Sequence, residues 1–258
     1  MFEIIYIPIL LLVLWYTYKT FLKIFGLFIV PPRESKDLKA FYEKYSHYFN
    51  QLSPKHQKRF IYRAYSLSRI IKVIGRQGFV IDKKMVLYVV AAYVQITFGF
   101  NYYNIPRFKT VIIYPDSFRS PFTGKMHDGE VNPRGVIVLS WKKLVRGFSD
   151  PHDKINLGLH EMAHALMHTI IHSNRHEPGL DAYLNKVIKL SSEEVKKINK
   201  GDSHLFRSYA GKSIEEFFAI ATEHFFEGPK EFRSELPDLY NKMKYLLKQD
   251  PANGIYIL

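Results

Sequence analysis

The sequence contains no cysteine among its 258 residues. Disulfide bridges, thiolate metal ligands and a cysteine nucleophile are therefore excluded, and any bound metal would have to be held by histidine and carboxylate side chains. Acidic residues are also scarce: 24 Asp and Glu stand against 37 Lys and Arg, which gives a formal net charge of +13. This excess favours anionic neighbours, whether lipid headgroups, nucleic acid or acidic proteins, without choosing among them.

Long hydrophobic runs are almost absent, since only one stretch is apolar enough to enter a lipid bilayer, and this excludes a polytopic membrane protein. Residues 4–18 carry no charge, and they predict a tilted anchor helix within residues 1–30 whose Lys19 and Lys23 snorkel to the interface. A cleaved signal peptide fits less well, because no positive charge precedes the run and no small-residue cleavage site follows it. A buried helix packed on the following domain is the alternative.

Positive charge flanks this segment on its C-terminal side, beginning with Lys19, Lys23 and Arg33. The positive-inside rule then predicts a single-pass protein of the inner or plasma membrane whose remaining domain faces the cytoplasm; a soluble cytoplasmic protein is the alternative. Residues 51–80 add seven Lys and Arg and no acid. We expect a basic helix that lies near anionic lipid, with a solvated helix face as the alternative and nucleic-acid binding disfavoured because no reader motif accompanies the charge.

The remaining sequence predicts one domain over residues 33–258, of the α+β class and predominantly helical. Helical periodicity dominates about 35–100. Two β-type segments, 110–114 and 136–141, follow with a long Pro- and Gly-rich connection between them. A further helix completes the region 109–172, and helices return over about 180–258.

The clearest chemical motif is the H-E-x-x-H pattern from His160 to His164, within a helix predicted over 153–172. Residues four apart lie on one helix face, so His160 and His164 can present two imidazole nitrogens to one Zn²⁺. Glu161 would then lie beside the open coordination position as a general base. The alternative is a chance occurrence of the motif in a basic protein that binds a membrane surface or nucleic acid.

A third ligand is expected from the amphipathic helix predicted over 213–227, which begins with the N-cap residue Ser213. Catalytic zinc commonly takes two histidines and one carboxylate. Glu216 and Glu223 both qualify, because they lie seven residues apart on one face among aromatic side chains, where an unpaired carboxylate is costly.

From residue 109 onward the chain resembles the Mlc titration factor A family of zinc-dependent peptidases, related to the gluzincin and lethal-factor-type metalloproteases. The resemblance is carried by residues 111–119, 135–142, 159–165 and 209–233, in that order. It implies a zincin-like metalloprotease domain with a small sheet. It does not cover the N-terminal helix.

The resemblance also implies roles for single residues. His160, His164 and Glu216 match the ligands of one Zn²⁺ per chain, and Glu161 matches the general base. Tyr209 matches a tyrosine that stabilises the oxyanion or the bound water.

Two further positions are interpreted through the same resemblance. Glu223 matches a recurring acid that orients a ligand histidine from outside the metal shell. Met167 is a departure, because the family usually has Asp three residues after the second histidine. His168 and His172 continue the four-residue spacing but rotate away from the ligand face, so we interpret them as structural or surface residues.

These observations predict a zinc-dependent metallopeptidase that hydrolyses peptide bonds of peptide or protein substrates. The resemblance implies an aminopeptidase-like or a limited peptidase activity. Val136 and Val138 lie in a predicted strand before the metal helix, and we expect this strand to be an edge on which an extended substrate pairs. The alternative from the same resemblance is a regulatory protein that sequesters a transcription factor or other partner and has weak or no peptidase activity.

Overall fold

The computed structural model describes residues 3–24, 30–103, 105–132, 134–173, 178–202 and 205–257. Within these ranges the helices are α1 Glu3–Ile24, α2 Pro32–Tyr45, α3 His47–Asn50, α4 Pro54–Ser68, α5 Lys83–Ile96, α6 Trp141–Ser149, α7 Leu157–His172, α8 Leu180–Lys200, α9 Ile214–Glu227, α10 Pro229–Glu235 and α11 Pro237–Leu247. The strands are β1 Lys72–Gly75, β2 Thr110–Tyr114, β3 Phe118–Arg119, β4 Met126–His127, β5 Gly129–Asn132 and β6 Val136–Ser140. The prediction of a mostly helical α+β chain is confirmed.

A four-stranded mixed sheet has the order β1-β2-β6-β5. β1, β2 and β6 are parallel, whereas β5 pairs with β6 in the antiparallel sense and aligns Val131 with Ile137. β3 and β4 form a separate two-stranded ribbon. The sequence predicted only β2 and β6, because the short strands β1 and β5 contain Lys, Gly and Asn in place of alternating apolar residues.

Helix α5 forms the centre of the core. Asp82 caps it as an N-cap residue usually does, since its Oδ1 accepts a hydrogen bond of 2.8 Å from the backbone N–H of Met85. From Leu87 to Ile96 every side chain is buried. The helix packs against both α4 and α7, so the core positions α7 directly.

The basic segment 51–80 is not one continuous helix, because α4 ends at Ser68 and the chain continues into β1. One of its cations, Arg63, is only 3% exposed. Its Nη1 donates to the carbonyls of Thr97 at 3.0 Å and Phe98 at 2.8 Å, at the negative end of α5, where a cation is favoured. The predicted use of this segment and of α1 to bind membrane lipid therefore has no support in this arrangement.

The prediction of a single-pass membrane anchor is wrong. Among the helices of the described residues, none combines the length and the apolarity that crossing a bilayer requires. The uncharged run is shorter than the ~20 residues needed, and Pro8 lies within α1. The alternative of a buried helix fails as well, because residues 7–18 are exposed.

Candidate metal centre

Helices α7 and α9 meet along the candidate site, and a side-chain cap starts each of them. The Oδ1 of Asn156 accepts from Leu159 N at 3.1 Å, and the Oγ of Ser213 accepts from Glu216 N at 3.2 Å. Phe217 and Phe218 then anchor α9 in the core. This local structure fixes the histidines of α7 opposite the first turn of α9.

Three polar side chains converge between these helices. The Nε2 atoms of His160 and His164 lie 3.2 Å apart. Glu216 Oε2 lies 3.2 Å from Nε2 of His160 and 3.8 Å from Nε2 of His164. All three residues are half-buried, and they form a group that can hold a metal ion.

The spacing and chemistry of this group fit a small divalent cation. With bonds of about 2.0–2.1 Å, neighbouring ligand atoms of a tetrahedral zinc ion lie about 3.3–3.5 Å apart, close to the 3.2, 3.2 and 3.8 Å found here. Two imidazole nitrogens and one carboxylate are also the donor set of a common class of catalytic zinc site. The three residues can therefore hold a metal ion without rearrangement of α7 or α9.

Glu161 is buried beside this group, with 4% of its surface exposed. Burial raises the pKa of its carboxyl to about 7, and the nearby carboxylates of Glu216 and Glu223 act in the same direction. Its space exists because residue 129 is glycine: a Cβ there would lie 2.3 Å from Oε1 of Glu161. A carboxyl with a pKa near neutrality can both accept and release a proton.

Glu223 contacts His160 from the side away from the ligand atoms. Its Oε1 lies 3.0 Å from Nδ1 of His160, and Arg207 Nη2 lies 2.8 Å from its Oε2. The carboxylate is 1% exposed, so the Arg207 cation stabilises its charge. A hydrogen bond to Nδ1 directs Nε2 of the same ring toward the metal position.

Tyr209 lies in a short 3₁₀ helix, Ser208–Gly211, and its side chain extends toward the carboxylate of Glu216. Its hydroxyl donates to Oε1 of Glu216 at 3.2 Å and accepts from Nζ of Lys212 at 3.0 Å. The side chain is 47% exposed. The structure thus brings Tyr209 to the rim of the site, with Lys212 beside it.

The charges of the site are coupled. Burial acts to lower the pKa of His160, but its hydrogen bonds to Glu216 and Glu223 raise that pKa to about 10. Burial acts to raise the pKa of Glu216, and the hydrogen bond to His160 prevails and holds that pKa at about 2. His164 differs, since burial lowers its pKa to about 4. Metal binding at this site would therefore release a proton.

The predicted substrate edge is in the wrong place. β6, with Val136 and Val138, is an inner strand, because it pairs with β2 on one side and with β5 on the other. Its backbone is therefore not free to bind an extended peptide. The outer strand on this side is β5. Its residues belong to the Gly- and Pro-rich connection of the sequence, where no strand was predicted.

Two clefts flank the candidate centre. The larger one, of about 390 Å³, we call the histidine cleft; it is lined by Glu130 and Val131 of β5 and by the histidines 127, 160, 164, 168 and 172. The second, of about 290 Å³, we call the basic cleft after its three cations, Lys143, Arg146 and Arg207; the acids Asp128, Glu161 and Glu223 line it as well. His160, Glu161 and Gly129 line both clefts, so the candidate centre lies between them.

Met167, where the resemblance led us to expect Asp, is buried in the core with 4% exposure. A thioether cannot take the place of a carboxylate beside a ligand histidine. Within the part of the chain that the structure describes, no side chain bonds Nδ1 of His164, whereas Glu223 does so for His160. His168 and His172 line the histidine cleft with their rings 4.5 Å apart.

Sequence reasoning missed three residues of the site: Gly129, Arg207 and Lys212. Gly129 follows Asp128 in what looks like a turn, and only the fold shows that Glu161 occupies the space beside it. Arg207 and Lys212 resemble ordinary surface cations. The cost of a buried Glu223 was the one available signal that a cation should lie nearby.

Comparison with known proteins gives a consistent result. The family model described as "Glucose-regulated metallo-peptidase M90" matches residues 32–248. A protein of Synechocystis sp. named "Uncharacterized protein slr2042" is 25% identical over 228 residues, which cover 76% of this chain and 78% of that protein. "Mlc titration factor A" of Salmonella agona is 23% identical over 231 residues, covering 80% of this chain and 84% of that protein.

Proposed function

Because the chain belongs to the glucose-regulated metallo-peptidase M90 family, we propose that it is a zinc-dependent peptidase whose metal ligands are His160, His164 and Glu216. The observation that carries this proposal is the convergence of the three ligand atoms, all within 4.8 Å of one another. The buried Glu161 beside them supports it. A zincin-like arrangement, with the two histidines on one helix and the carboxylate on another, is part of the proposal.

When bound, zinc supplies a Lewis acid that polarises the peptide carbonyl and makes water acidic near neutral pH. Glu161 accepts the proton of the attacking water and delivers it to the leaving amine. Its pKa of about 7 in the folded chain suits both steps, because a catalytic acid–base works best near the operating pH.

The remaining residues bind and orient. Tyr209 turns its hydroxyl from Glu216 toward the developing oxyanion, a movement that its exposure permits and that adds a hydrogen-bond donor in the transition state. Lys212 holds that hydroxyl through the contact of 3.0 Å. Glu223, neutralised by Arg207, holds the ring of His160 in the ligating orientation.

Substrate would bind as an added strand on β5. Glu130 and Val131 of this outer strand line the histidine cleft with the candidate ligands. Main-chain pairing with an outer strand supplies affinity that is independent of side chains. Extended or unfolded peptides are therefore the expected substrates, and an aminopeptidase-like activity is the variant that the resemblance suggests.

The discriminating variant is Glu161→Gln, which keeps the shape of the side chain and removes its proton chemistry. We expect zinc content equal to that of wild type and loss of chelator-sensitive peptide hydrolysis by about 10³-fold or more. Unchanged turnover would exclude Glu161 as the base, and zinc loss would show that the variant perturbs the ligands.

A second function is favoured by one observation: the Salmonella relatives are named for the titration of Mlc. Capture of a transcriptional regulator would use the surface of the domain and not the proton chemistry of Glu161. The same Glu161→Gln variant should then retain partner capture while hydrolysis is lost. Loss of both activities together would tie capture to catalysis.

A further inference from the structure

We propose that the basic cleft binds a carboxylate of the substrate, on the C-terminal side of the hydrolysed bond. The cleft would thus select either an acidic side chain or a free C-terminus at that position. This inference deepens the proposed peptidase function and rests on it.

The position of the cleft is the first argument. His160 and Glu161 form one of its walls, so a substrate group inside it lies one or two residues from the reacting bond. Polar groups placed around such a cleft orient the substrate and determine specificity. The cleft is thus a subsite of the candidate centre and not a remote pocket.

The balance of charge within the cleft is the second argument. Two of its three cations are already paired: Lys143 lies 3.2 Å from Asp128, and Arg207 lies 2.8 Å from Glu223. Arg146 makes no ion pair or side-chain hydrogen bond with any other residue that the structure describes. The third acid of the cleft, Glu161, is the buried proposed base. Arg146 is thus the cation of the cleft without an ion-pair partner among the described residues, and its donor geometry matches a carboxylate in the bidentate manner.

The course of α6 directs this charge into the cleft. Lys143 and Arg146 lie three residues apart in α6, hence on one face of the helix, and both line the cleft. Lys142 lies on another face, where it pairs with Asp116 at 2.8 Å and remains outside the cleft. The chain thus contains a matched control: a cation of the same helix that faces elsewhere.

The shape of the cleft favours a glutamate side chain among the possible carboxylates. Met126, Ile155 and Leu157 contribute apolar walls, and Met126 and Ile155 are 63% and 45% exposed. The two methylenes of glutamate can cover such surface while the carboxylate reaches the guanidinium. A neutral glutamine of the same length lacks the charge and is the proper comparison.

The direction of β5 assigns the cleft to one side of the bond. Met126 and Asp128, which precede β5, line only the basic cleft, whereas Glu130 and Val131 of β5 line only the histidine cleft. An antiparallel pairing is the more stable one per residue. A substrate paired in this way runs in the opposite direction, so that its C-terminal part lies in the basic cleft.

The first experiment measures specificity with the full chain loaded with zinc. The probes are alanine hexapeptides that carry one Glu or one Gln at each position in turn, and mass spectrometry locates the cut. Wild type and Lys142→Gln should prefer Glu to Gln after the hydrolysed bond by about fivefold in kcat/KM. Arg146→Gln should reduce that ratio to about one, and Arg146→Glu should invert it.

A second pair of peptides separates the two sources of the carboxylate: all-alanine hexapeptides with a free or an amidated C-terminus. Faster cleavage of the free acid near its end, lost in Arg146→Gln, identifies a terminal carboxylate as the ligand. A preference for internal glutamate alone identifies the side chain. An Arg146→Gln variant with the Glu-to-Gln and acid-to-amide ratios of wild type would overturn the proposal.

A binding assay tests this proposal without any need for peptide hydrolysis. In the Glu161→Gln background, fluorescence anisotropy with labelled Glu and Gln peptides should give the same fivefold preference, abolished by Arg146→Gln. Selective binding without hydrolysis in wild type would support the subsite and contradict the peptidase. Hydrolysis without a preference for the Glu peptide would support the peptidase and contradict the subsite. Binding of neither peptide would overturn the subsite.

Discussion

Replacement of Glu227 with glutamine should stabilise the protein, and the gain should increase with pH. Glu227 is the last residue of α9, where a negative charge opposes the helix dipole. Its Oε1 accepts from Asn156 Nδ2 at 2.8 Å, while its Oε2 is buried and finds no hydrogen-bond partner within the described chain. Burial raises the pKa of this carboxyl to about 8, and the neighbouring acids Asp153, Glu223 and Asp150 contribute in the same direction.

The sign and size of the effect follow from proton linkage. The folded state keeps the proton to about pH 8, whereas the unfolded chain releases it near the ordinary value of 4.5. The contribution of Glu227 to stability is therefore complete below pH 4.5 and is lost as the pH rises to 8. At 1.36 kcal/mol per pH unit, the loss at alkaline pH has an upper limit of about 5 kcal/mol. Glutamine keeps the acceptor for Asn156 and has no charge to bury.

The assay is urea unfolding of wild type and Glu227→Gln at pH 5 and at pH 8.5. We expect a difference below about 1 kcal/mol at pH 5 and a gain of about 2–5 kcal/mol for the variant at pH 8.5. Only the difference between the two proteins is interpreted, so other titrating groups cancel. Equal differences at both pH values would refute the assignment of a buried, unpaired carboxylate.

Three further predictions concern the site and the core. Gly129→Ala should reduce hydrolysis by at least about 10²-fold, because its Cβ would displace Glu161; near-normal activity would contradict this packing. Glu223→Gln should weaken zinc affinity by about 10- to 100-fold in a chelator competition, since it loosens the ring of His160, and an unchanged affinity would remove its orienting role. Arg63→Met should lower the free energy of unfolding by about 2–4 kcal/mol, because it leaves carbonyls at the end of α5 unpaired; a loss below 0.5 kcal/mol would show that water replaces the guanidinium.

Local sequence signals predicted the helices that carry the candidate centre. Ser213 is an N-cap of the kind that sequence rules recognise, and it caps α9 here. The periodicity of α7 placed His160 and His164 on one face, and they do converge. These predictions succeeded because capping and helical spacing depend on residues a few positions apart.

Features that depend on distant residues were not predictable in the same way. β5 begins with Gly129, a residue type that usually indicates a turn. Here the glycine leaves space for Glu161 of α7, a contact between residues 32 positions apart that no local sequence pattern reveals. The inner position of β6 follows from pairing on both sides, which the composition of one strand does not reveal. For the same reason the partner of Glu223, Arg207, emerged only from the fold.

The N-terminal prediction failed for a different reason. The expectation of a membrane anchor weighed the uncharged run of residues 4–18 and treated Lys19 and Lys23 as tolerable. Length and apolarity together decide this question, since a spanning helix needs ~20 predominantly apolar residues, and no helix within the described ranges combines the two. The positive-inside rule therefore had no membrane-spanning helix to which it could apply.

The most direct test of the central claim is the metal content of the full chain, measured by elemental analysis for wild type and Glu216→Ala together with chelator-sensitive peptide hydrolysis. The account predicts near-stoichiometric zinc and hydrolysis in wild type, and the loss of both in the variant. A wild-type protein that does not bind zinc, or a Glu216→Ala variant that keeps its zinc and its activity, would contradict the claim that His160, His164 and Glu216 form the metal centre.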